Sequence, residues 1–273
     1  ASSAAADEGK DPVVQPVYAV SEQLHLLYGH LSRASTQEAR TEMLSMYDAL
    51  LTRHGSAWLE QHLDVVYTHL VHEIATRLPN GAELVRRLLD PHWPALSEPA
   101  QERAAAYLGT HVLAMWPPST PTQPVPSEAS LCVTLDATAV LVAQLGELSA
   151  TLHEALYEAH RRLLTHPTLA VQVRAAWWLS VACSVQPWLL APTYAELLGC
   201  MRRDTEALSK PQHDRGVSLR ARLVGHSAAL AALARVAAQH PLYVRNDDVD
   251  EVCSLALDLR TRYSETPAAP HAS

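Results

Sequence analysis

The sequence contains no phenylalanine, and its nine glycines are outnumbered by eighteen prolines. Few glycines and few β-branched runs argue against a β-sandwich or an α/β sheet, which need both. They also leave no Gly-rich loop to cradle a phosphate. Basic residues are scarce: the formal charge is −8, and Lys and Arg form no stripe. Nucleic acid is therefore excluded as a partner. The four cysteines, Cys132, Cys183, Cys200 and Cys253, lie far apart and make no CxxC pair. That excludes a zinc knuckle and a redox motif, and fits a reduced cytosolic setting. No apolar run reaches the roughly 18 to 20 residues that span a bilayer. The most apolar stretch, HPTLAVQVRAAWWLSVACSVQP at 166–187, has Pro167 and Pro187 at its ends and Arg174 inside. The opening ASSAAADEGK lacks Met, an apolar signal core and an Arg-rich transit pattern, and reads as part of a longer chain.

What the sequence does contain is helix. It is 48% hydrophobic, with Ala and Leu dominant, so it can bury a core. Residues 1–16 are small and polar, and disorder is expected there. Val17, Val20, Leu24, Leu27 and Leu31 then recur three or four apart, the period of a helix. A second helix carries Ala39, Met43, Met46 and Leu50 and ends at Gly55. A third opens on Ser56 as N-cap, with a stripe from Trp58 to Ile74. A short helix near 81–90 and one capped by Ser97 follow. The segment 117–130 holds five prolines in fourteen residues and reads as a linker between an N-terminal block, 17–116, and a C-terminal block, 131–263. The second block offers a long helix at 132–164 that breaks near Gly146, then helices at 169–185, 190–203, 221–239 and 246–263. The tail 264–273 is expected to be disordered. His-Pro recurs at 166 and 240, about two 40-residue units apart, the period of HEAT or armadillo repeats. The expected fold is therefore all-α, a HEAT-like solenoid of antiparallel helix pairs. In such a stack each pair buries its apolar face only against its neighbours.

Fifteen histidines invite a catalytic or metal reading. The tightest group is His62, His69 and His72 with Glu73; His69, His72 and Glu73 share one helical face. It lacks the HExxH spacing of a zinc protease. A solvated face with His69 and His72 partly exposed is expected, with no metal and no cofactor. No GxSxG elbow accompanies any serine. In GHSAAL at 225–230, Gly225 and Ser227 read as helix-packing residues. Asp247, Asp248, Asp250 and Glu251 sit at a helix start, where they complement the dipole. Adjacent tryptophans on a helix point about 100° apart. Trp177 or Trp178 is therefore expected in a seam against the Ala-rich helix at 221–239. The alternative is an exposed partner anchor, a role in which Trp is enriched.

VQVRAAWWLSVA at 171–182 resembles the second helix of a HEAT repeat, with Arg174 as the repeat arginine; the usual Asp just before Val-Arg is missing. EARTEMLSMYDALL, with Arg40, is a weaker copy. GSAWLEQHLDVVYTHLVHEI (which holds Trp58), LLTHPTLAVQVRAAWWLSVA and GHSAALAALARVAAQHPLYVRNDDVDEVCSLALDL, in that order, resemble the HEAT repeat-containing protein 5 family. That resemblance covers about half of the chain. It implies a non-enzymatic scaffold without catalytic residues, in vesicle traffic between the trans-Golgi network and endosomes. The implied partners are the adaptor-protein-1 clathrin adaptor complex and small accessory subunits, with membrane association only through them. A different helical-repeat protein, such as a karyopherin-like carrier or a kinase or phosphatase regulatory subunit, is the competing expectation, and a helical enzyme is a third. The candidate packing or partner anchors are Trp177, Trp178, Arg174 and Trp58.

Overall fold

The computed structural model describes residues 19–34, 36–120, 122–208 and 216–264. These are mostly helical, with no strand among them. Ten α-helices follow one another: α1 (Val20–Arg33), α2 (Gln37–His69), α3 (Gly81–Leu89), α4 (Glu98–His111), α5 (Glu128–Leu145), α6 (Ala150–Leu163), α7 (Leu169–Val185), α8 (Leu190–Leu208), α9 (Gly216–Gln239) and α10 (Asn246–Ser264). The expectation of disorder for 1–16 lies outside the described residues. So does that for 264–273, apart from Ser264, which is the last residue of α10.

Local chemistry sets the boundaries. Thr36 accepts the Ala39 N–H through its side chain and opens α2. Within α2 the backbone leaves the helical region at Gly55, with φ of 76°, a conformation glycine adopts at little cost. The helix expected to end there does break. Gly146, with φ of 68°, caps α5, so the long helix expected at 132–164 is two. Ser127 accepts the Ser130 N–H, so α5 begins inside the proline-rich segment. α8 runs to Leu208, beyond the expected end at 203. Its Asp204 is buried and paired with Arg222 and His226 of α9. Polar residues that look like a loop in sequence are here a helix satisfied by its neighbour.

The packing alternates. Consecutive helices pair as α4 with α5, α6 with α7, and α8 with α9. Alternate helices also touch: α3 meets α5, α5 meets α7, α7 meets α9, and behind them α4 meets α6. α6 and α7 pack together across the turn at His166-Pro167. Buried side chains from Leu24 to Ala237 form one continuous core. The proline-rich segment connects two blocks without separating them, since α5 packs on α3 and α4 and Tyr67 hydrogen-bonds Thr134 at 2.8 Å. Contrary to the expectation that no run is long enough, α5 could cross a membrane by length and composition, but 61% of it is buried in the fold.

Close approach depends on small residues at two places. A Cβ on Gly225 would stand 1.7 Å from the Leu164 carbonyl oxygen. One on Gly81 would stand 2.0 Å from that of Ile74. Gly225 thus packs helix against helix, as its place in an Ala-rich run suggests.

Candidate functional site

The two adjacent tryptophans of α7 part company. Trp178 is fully buried and lies flat on His160 of α6, with ring centroids 3.7 Å apart. The ring it meets therefore belongs to α6, within its own helix pair, and not to the expected seam against α9. His160 donates from Nδ1 to the Leu156 carbonyl at 2.6 Å. This leaves Nε2 as the acceptor facing the Thr138 hydroxyl of α5 at 3.2 Å. Burial pushes the His160 pKa down to about 3, so the ring is neutral. The small residues of α9 make a different seam. α7 is bound there through Gln172, which donates to the Ala221 carbonyl at 2.8 Å.

Trp177 is 39% exposed. Val173 and Leu169, one and two turns before it, are exposed as well, so the three form one stripe on the outer face of α7. Among the described residues, with α5 and α9 on either side and α6 behind, this stripe is the side of α7 left to solvent. Arg174 borders it and bonds Asp136 of α5 at 3.1 Å. Asp136 is the carboxylate that the sequence around Arg174 lacks locally; it stands 38 residues upstream. A search at that offset would have found it. Burial raises the Asp136 carboxyl, and Arg174 opposes the shift.

Trp58 is half-buried on α2 and stacked between His54 and His62, at 4.5 and 4.8 Å. It is a local aromatic stack, remote in sequence from the α7 stripe. Val224 is a further exposed apolar residue, on α9, which sequence reasoning passed over because α9 is Ala-rich on every side.

Of the histidine group, His69, His72 and Glu73, but not His62, line a cleft of about 650 Å³ between α1, α2 and α4, with His25, Asp64 and Tyr107 among others. Its floor includes a π-helical turn, Leu70–Ala75. His69 is buried, contrary to the expectation of partial exposure, because α1 covers it: its Nε2 meets the Tyr47 hydroxyl at 3.1 Å, and His25 and Tyr28 of α1 pack on its ring. Burial, then the neighbouring His25, hold its pKa down at about 4. His72 is exposed. Glu73 pairs with Arg77 at 2.8 Å, and His62 donates from Nδ1 to the Trp58 carbonyl at 2.9 Å. Among the described residues, no three His, Cys, Asp or Glu side chains converge as metal ligands. Cys132 and Cys183 are buried thiols, raised by burial to about 11 and 12, which keeps them protonated and unreactive near neutral pH.

Comparison with protein-family models, with curated proteins and with solved structures finds no match to this chain.

Proposed function

We propose that this chain is a non-enzymatic, armadillo/HEAT-like solenoid of antiparallel helix pairs that binds other proteins. The observation that carries the reading is the contact order of the helices. α3, α5, α7 and α9 touch in succession, each helix of the row from α5 on pairs with the helix before it, and α4 and α6 stand behind. Stacked two-helix repeats produce this pattern, because each repeat completes the core of the next. The Arg174–Asp136 bond between successive members of the row fits the same reading. So does the exposed stripe Leu169–Val173–Trp177, since exposed aromatics rimmed by polar residues mark protein contacts.

The sequence resemblance gives the scaffold its place. On it, the chain belongs with the HEAT repeat-containing protein 5 family, works in the cytoplasm on Golgi and endosomal membranes, and supports adaptor-protein-1 clathrin adaptor traffic. Membrane attachment then runs through the adaptor and its accessory subunits. The test is affinity purification of the tagged full-length protein followed by mass spectrometry. Recovery of adaptor-protein-1 subunits is expected. Their absence, with recovery of nuclear-transport or phosphatase subunits instead, sinks the trafficking assignment.

A further inference from the structure

The stripe on α7 does not stand alone. On α9 the exposed residues Arg220, Val224, Ser227, Ala231 and Arg235 recur four, seven, eleven and fifteen positions along, which is one face of a helix. Ala221, about 100° around from Arg220, meets Gln172 of α7. His226 bonds Asp204 of α8 on the opposite side of α9. Ser227, at one edge of the stripe, reaches Met201 Sδ of α8 at 3.7 Å, so the α9 stripe runs along the outer face between α8 and α7 and borders both. Together the two helices present Leu169, Val173, Trp177 and Val224 to solvent, with arginines at the edges.

Those arginines are distinctive in a chain of net charge −8. Among the described residues, Arg220 and Arg235 are exposed and have no acidic partner, whereas Arg222 on the same helix is committed to Asp204. They bracket Val224, Ser227 and Ala231. Fifteen residues of helix separate them, about 22 Å at 1.5 Å per residue. We infer that the α7–α9 face is a docking site for an acidic amphipathic helix of a partner protein. The partner would lay apolar side chains at i, i+3, i+4 and i+7 over Trp177, Val173 and Val224, and place carboxylates about four turns apart on Arg220 and Arg235. This rests on the scaffold reading above and specifies the chemistry of its partner.

The test uses two synthetic helical peptides of about 18 residues, identical in their leucine pattern, one with Glu and one with Lys at the polar positions. Binding to the intact protein is measured by fluorescence anisotropy at low and physiological salt. The Glu peptide should bind, and more weakly as salt rises. Trp177→Ala should weaken it by about tenfold or more, the loss typical of a central aromatic anchor. The double variant Arg220→Glu, Arg235→Glu should reverse the preference to the Lys peptide. All three substituted residues are exposed, and an unchanged urea midpoint will show that each variant is folded. Equal binding of both peptides, binding of neither, or binding indifferent to Trp177→Ala overturns the inference. Two other occupants are also read out. Self-association abolished by Trp177→Glu would assign the face to a second copy. Trp177-dependent binding to anionic phosphatidylserine vesicles without peptide binding would assign it to a lipid surface. Either result overturns the proposal. If partners copurify equally well with wild-type and Trp177→Ala protein, the scaffold reading stands and this surface alone fails.

Discussion

Trp178 and His160 lie face to face, their rings 17° from parallel and both fully buried. Trp177, the preceding residue in the chain, is part of the surface. A single step along α7 thus separates a core residue from a candidate contact residue.

Trp178→Ala should cost about 3 to 5 kcal/mol, because the void left against His160 cannot be refilled without moving α6. Trp177→Ala should cost less than about 1 kcal/mol. Urea unfolding of the two variants, compared at one pH, checks the contrast. Equal losses would mean that the two residues share one environment.

His160 at about 3 and His69 at about 4 bind protons more readily in the unfolded chain, where a histidine titrates near 6.5. The folded values are depressed, so their neutral forms are favoured by folding. Stability is complete above about pH 6.5 and falls as the pH drops through 6 and 5 toward the folded values. Each of the two contributes up to about 1.4 kcal/mol per pH unit in that window. The Cm in urea should decline between pH 6.5 and 4.5. His160→Phe, which keeps a stacked ring but cannot take up a proton, should make that decline shallower. A Cm independent of pH would contradict the burial of these rings.

Gly225→Ala should destabilise by about 3 kcal/mol or more, since its methyl would press on the Leu164 backbone carbonyl. Gly199→Ala in α8 meets only the tip of Arg203, at 3.5 Å. That change should be stabilising by about 0.5 to 1 kcal/mol, through helix propensity alone. Thermal melting of both variants decides, and a neutral Gly225→Ala would refute the close approach of α9 to the end of α6.

Two ion pairs should differ in the same way. Asp204 is 2% exposed, between His226 and Arg222. Its removal strands a buried polar site, and Asp204→Ala should cost about 2 to 4 kcal/mol, moderated because Arg222 can turn to solvent. Arg174 is 37% exposed and Asp136 19%, so solvent screens that pair. A double-mutant cycle there should return a coupling of about 1 kcal/mol or less.

The helices were legible because their signals are local. Three- and four-residue recurrence, and Gly55 and Gly146 at breaks, each act within a few residues of chain. Errors fell where a distant residue decides the outcome. The helix expected to end at 203 continues through 204–208, because Arg222 pairs with Asp204 and His226 hydrogen-bonds it. His69 reads as a surface residue until α1 folds over it. Arg174 was singled out by its motif, but its carboxylate, Asp136, comes from α5, a separate helix.

What the sequence by itself determined is the all-helical class, the helix breaks and the identity of the large side chains, since these follow from periodicity and backbone preference. Only the tertiary structure decided which tryptophan is buried, and that α7 and α9 leave an arginine-edged apolar face to solvent. A helix carries no marker of which neighbour will cover each side, and α7 and α9 show almost no segregation of apolar residues to one face. Their orientation is set by shape, where a glycine admits a backbone and a tryptophan finds a ring to lie on, and those contacts exist only once the neighbouring helices are in place.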